Sequence, residues 1–192
     1  MLIDNNTMLF NNKKFSYNYL INLLLCLIPV SLAIGSLIVN INLYLFLIVS
    51  IIYIKKNKLK LNFEYVDIIL FIFFVCIIIS SALNIETIEY NRVVKSIFLL
   101  RFVVLYFVVK TLFINEDIDL KKFFITSLFC TSFVSVDIIF QYFVGYDLFG
   151  FKPFEGRIAG IFVSESIAGS YLQKFTLFSI FGTLFLFQKK NY

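Results

Sequence analysis

The chain has 192 residues, 60% of them hydrophobic and 15% charged, with a mean hydropathy of +0.92 and a net charge of +5. A soluble domain of this size leaves too much surface exposed to hide so much apolar material, so a water-soluble fold is excluded and a bilayer is the natural solvent. Lysines scattered between apolar runs argue against a nucleic-acid partner. Histidine is absent and Cys26, Cys76 and Cys130 lack metal-ligand spacing, so no metal or other cofactor is expected.

A hydrocarbon core needs about 20 helical residues to cross it. The first apolar block, residues 17–54, is too long for one span. Asn40 and Asn42 suit a tight turn, which predicts helices over 17–38 and 42–54. Lys13 and Lys14 precede this pair and "KKNKLK" (Lys55 to Lys60) follows it. Both basic flanks belong on the cytoplasmic side, which a two-span hairpin satisfies. No small-residue cleavage site follows the first span, so it is read as a membrane helix and not a signal peptide. Further spans are expected over 64–83, 91–113, 122–144 and 167–187, with an outward, re-entrant-like loop over 145–166. The expected fold is thus all-α and polytopic: about six transmembrane helices in a single domain over residues 1–192. Lysine bias puts both termini in the cytoplasm.

Four cations fall on the fourth span. Arg92, Lys95 and Lys110 lie near its ends, where long side chains reach the interface without needing a function. Arg101 lies nine residues, or about 13 Å, below Arg92. An arginine at that depth costs at least ~2.5 kcal/mol and is a functional candidate by default. Asp137 lies about 12 Å below Gly145 on the next span, so matching depths predict a buried Arg101–Asp137 pair. The pair either fixes helix register or forms the floor of a polar cavity. Gln141, one turn above Asp137, would extend that cavity outward.

The segment "GYDLFGFKPFEGRIAGIFVSESIAGSYL" (Gly145 to Leu172) holds five of the chain's seven glycines and one of its two prolines. Glycine permits positive φ, and Pro153 blocks helix locally. An irregular loop dipping towards the membrane is expected, anchored by its phenylalanines and carrying Arg157. A guanidinium held there suits a phosphate or pyrophosphate in bidentate geometry, or equally a membrane lipid headgroup. Tyr171 and Lys174, on the first turns of the sixth span, face the same region; Lys174 also reads as an interfacial lysine. Glu165 reads as a solvated carboxylate.

The runs "DIIFQYFVGYDLFG", "GRIAGIF" and "AGSYL", with the early "LIPVSLAIG", resemble the O-antigen ligase and O-antigen polymerase superfamily. The family's R-x-x-G-x-F arginine matches Arg157, with Gly160 and Phe162 in step. The resemblance implies a lipid-linked glycosyltransferase fold of the GT-C type in the inner membrane of a bacterium. It implies transfer of a glycan from undecaprenyl pyrophosphate to a saccharide or to the lipid A core, without metal or nucleotide sugar. Arg157 would then stabilise the departing pyrophosphate. Family members are about twice this length and carry a later histidine-bearing loop. The chain is accordingly expected to be the N-terminal half of such a protein, inactive alone. Buried charges also fit half of a polysaccharide flippase or another transporter, and a non-catalytic membrane subunit is a third reading.

Overall fold

The computed structural model describes residues 5–83, 98–153, 156–162 and 167–187. Among them are six α-helices: α1 (Asn5–Ile34), α2 (Ser36–Lys56), α3 (Tyr65–Leu83), α4 (Leu100–Ile114), α5 (Leu120–Val144) and α6 (Ala168–Phe187), with a 3₁₀ turn at Gly160–Phe162. No strand occurs among the described residues. Five helices are long and apolar enough to cross a membrane, namely α2, α3, α5, α6 and the Tyr17–Ile34 part of α1. The chain is therefore an all-helical, multi-pass membrane protein. The expected span 91–113 is described only from residue 98 onward, and Arg92 and Lys95 lie outside the described residues.

The first hairpin breaks earlier than Asn40 and Asn42 suggest. It breaks at Gly35, whose φ of 157° is one that L side chains rarely adopt. Both asparagines are helical, because each amide finds a partner. Asn40 Nδ2 donates to the Ser36 carbonyl one turn back (2.8 Å). Buried Asn42 donates across to α1, to the Leu24 carbonyl (3.1 Å) and to Ser31 Oγ (3.3 Å). Leu24 lies just before the stretch where Pro29, lacking an N–H, interrupts the ladder of α1.

The chain divides into two compact units. The first takes residues up to Phe46 and from Asp119 onward; the second takes Leu47–Ile118. In the first unit α5 and α6 pack antiparallel. Ser127, Thr131 and Val134 face inward on α5, and Tyr171, Phe175, Ser179 and Gly182 on α6. Thr131 Oγ1 and Ser179 Oγ lie 2.7 Å apart. The aromatic rings of Phe124 and Phe185 stack at 5.8 Å. In lipid there is no hydrophobic drive between helices, so small residues that let backbones approach decide the packing. Gly182 is such a residue, since a Cβ there would sit 2.5 Å from the Phe124 carbonyl oxygen. Gly182→Leu is expected to force the helices apart and cost about 1–3 kcal/mol or more, read as a lower unfolding midpoint in bicelles. An unchanged midpoint would show that this contact does not hold the pair.

In the second unit α3 packs on α4 through a buried ion pair. Lys110 Nζ lies 2.7 Å from Asp67 Oδ2 and 3.5 Å from Glu64 Oε1. Asp67 also accepts the Tyr106 hydroxyl (2.7 Å) and reaches back to the Glu64 N–H (2.7 Å), the helix-start arrangement of a capping box. Lys110 is thus not a solvated interfacial lysine: its side chain is 14% exposed, and that of Asp67 1%. Tyr53 at the end of α2 donates to Asp117 Oδ1 (2.7 Å), joining both ends of this unit.

Candidate functional site

α5 ends at Gly145, whose left-handed φ of 85° turns the chain while its N–H still donates to the Gln141 carbonyl (2.9 Å). Three buried polar side chains then fix the following loop, two of them reaching it from the last turns of α5. Asp147 organises it from within: Oδ1 accepts the N–H groups of Phe149 (3.0 Å) and Phe151 (2.6 Å). Its own N–H donates to the Phe151 carbonyl (2.9 Å), and its carbonyl accepts from Gly150 (3.0 Å). Asp137 Oδ1 accepts the Leu148 N–H (2.9 Å). Gln141 uses both ends of its amide, donating to the Phe151 carbonyl (3.2 Å) and accepting the Gly160 N–H (2.8 Å).

Buried irregular backbone survives only where protein or water satisfies its N–H and C=O groups. Asp137 is 0%, Asp147 1% and Gln141 2% exposed, so each bond they make is shielded from competition. Gly160, with φ 54°, is needed for close approach, because a Cβ there would lie 2.6 Å from Asp137 Oδ2.

The structure redistributes the roles expected of these residues. The hydrogen bond Asp137 makes is to Leu148 in its own unit, not to an arginine; its Oδ2 is buried without a hydrogen-bond partner. Arg101 belongs to the other unit, half-buried, with its guanidinium carbon 4.9 Å above the Phe102 ring. Gln141 does not line an open polar track, since the loop consumes its amide. Tyr171 is not available to a ligand either. It is 1% exposed, donates to the Pro29 carbonyl of α1 (3.1 Å), and packs against Phe162 and Phe175. It holds α6 to α1 through an acceptor that only the tertiary fold brings near.

Arg157 is exposed, on the pinned segment between Gly156 and the buried Ala159–Gly160 pair. Lys174 is exposed on α6. Glu165 lies outside the described residues. Next to the loop is an apolar groove of about 460 Å³. Val30, Ala33 and Ile34 of α1 line it, with Phe133 and Val134 of α5 and Phe149, Phe151 and Ile161 of the loop. An exposed arginine thus lies four residues before Ile161, which helps wall an apolar groove, an arrangement suited to an amphipathic ligand with an anionic head. Asp147 is the residue that reading the sequence overlooked. Its signal was an aspartate opening a glycine-bounded turn, G-Y-D-L-F-G, where Asp side chains bond the backbone ahead. No protein-family model, no curated protein and no solved structure matches this chain.

Proposed function

We propose that the chain takes part in O-antigen ligase- or polymerase-like glycan transfer, binding an undecaprenyl-pyrophosphate-linked glycan for delivery to a saccharide or lipid A core acceptor. The observation that carries the reading is the pinned loop: an exposed arginine on a segment from which Phe149, Phe151 and Ile161 help wall an apolar groove. The carrier has matching parts, a pyrophosphate at the lipid boundary and a polyprenyl tail in hydrocarbon. Arg157 presents a planar fork of donors that suits two phosphate oxygens. Charge grows on the pyrophosphate as the acceptor hydroxyl attacks the anomeric carbon, so a fixed cation there stabilises the transition state more than the ground state. In this reading Asp137, Gln141 and Asp147 are positioning residues, acting through the backbone they hold.

The reading requires the loop to face outward and the lysine-rich ends to face the cytoplasm of an inner membrane. Reporter fusions at Asn57 and Asn115 should then report cytoplasm and one at Lys152 periplasm; the same side for all three would remove the required topology. Binding is tested in nanodiscs. Polyprenyl pyrophosphate should bind at least about tenfold more tightly than the polyprenyl monophosphate, about 1.4 kcal/mol, because its second phosphoryl group adds charge and acceptor oxygens beside the guanidinium. Equal binding of the two would overturn the assignment.

A further inference from the structure

The connection between α2 and α3 is neither helix nor strand, yet its conformation is fixed at both ends. At the α2 end the Asn57 N–H donates to Tyr53, the Lys58 N–H to Lys55 and the Leu59 N–H to Ile54 (3.0, 3.3 and 3.1 Å). Lys58 takes a left-handed φ of 52° to make this closure, which is a Schellman-type helix end. Asn57 Nδ2 adds a further bond to the Tyr53 carbonyl (3.0 Å). At the other end the Glu64 N–H is held by Asp67 (2.7 Å), and the Phe63 ring lies 5.4 Å from that of Phe107.

Lys55, Lys56, Lys58 and Lys60 are all exposed on this strap. Beyond Lys58 the residues alternate: Leu59, Leu61 and Phe63 interleave with Lys60, Asn62 and Glu64. Leu61 is 51% and Phe63 68% exposed. A basic loop immersed in water has no reason to interleave its charges with exposed Leu and Phe. A segment lying in the headgroup layer does, since each cation can meet phosphate while each apolar neighbour meets acyl chain. The lysines are not needed to seal the end of α2, because backbone and Asn57 donors already do so.

We infer that the 55–63 strap is a binding surface for anionic phospholipid headgroups, with Lys55, Lys56, Lys58 and Lys60 on the phosphates and Leu61 and Phe63 in the acyl layer. The inference uses neither Arg157 nor the glycan-transfer reading. Each lysine at such a surface strengthens attraction about fivefold at physiological salt, and the attraction weakens as salt rises.

The chain lacks tryptophan, so Leu61→Trp gives a unique fluorophore on the strap. The full chain carrying it would be placed in phosphatidylcholine proteoliposomes doped with brominated phosphatidylglycerol or brominated phosphatidylcholine. Brominated phosphatidylglycerol should quench at a mole fraction about fivefold lower or less. Changing all four lysines to Gln should remove the preference, and changing them to Arg should keep it. A tryptophan at Ile139, exposed on α5, should show no comparable preference. Equal quenching by the two lipids, a preference that survives the Gln changes, or the same preference at Ile139 would overturn the inference.

Discussion

On the proposed reading, Arg157→Ala is expected to reduce glycan transfer about 10²–10³-fold, the loss typical of removing one fixed electrostatic partner of a developing oxyanion. Arg157 is exposed, and the bridge it enters is made by its backbone, which a change of side chain leaves in place. The variant should therefore insert and fold as the wild type does. Arg157→Lys should recover part of the activity, because an ammonium keeps the charge but loses the planar fork. A glycan ladder from cells carrying each variant reads both outcomes. An unchanged ladder for Arg157→Ala would reduce the residue to a headgroup anchor.

Asp147→Ala should have the largest effect on the loop itself. It strips the acceptor from two backbone N–H groups, those of Phe149 and Phe151. The residue is 1% exposed, so water does not replace it, and each orphaned donor costs about 1–3 kcal/mol. Asp147→Asn keeps an oxygen in place of Oδ1 and should cost less. Because the same loop carries Arg157, Asp147→Ala should lower transfer as well as the unfolding midpoint, while Arg157→Ala lowers transfer alone. Limited proteolysis between Gly145 and Ile161 checks this: Asp147→Ala should be cut faster than wild type, and Arg157→Ala should not. Equal cutting of all three would mean that Asp147 does not hold the loop.

Helices at 64–83 and 167–187 were legible because they depend on length and apolar content alone, whereas the first hairpin's break at Gly35 was not. Predicted and observed boundaries at 64–83 and 167–187 differ by a residue at most. Partners were not legible, because they depend on what the fold brings close. Asn42 looks like a turn residue until Leu24 and Ser31 of α1 are beside it. Lys110 looks interfacial until Asp67, 43 positions earlier, is seen against it. The expense of burying Asp137 and Gln141 was visible. Their partners proved to be backbone groups of the next loop, a solution that leaves no charge pattern in the sequence. Gly160 illustrates the converse. Its glycine could be read as a flexible loop residue, but its role is close approach to Asp137.

The most direct measurement of the central claim is the nanodisc titration with polyprenyl pyrophosphate, run on wild type, Arg157→Lys and Arg157→Ala. Monophosphate serves as the reference ligand. If the pinned loop presents Arg157 to the carrier's head, wild type should prefer pyrophosphate at least about tenfold and Arg157→Lys less. Arg157→Ala should bind both ligands alike, through the groove alone. A pyrophosphate preference that persists undiminished in Arg157→Ala would contradict the account.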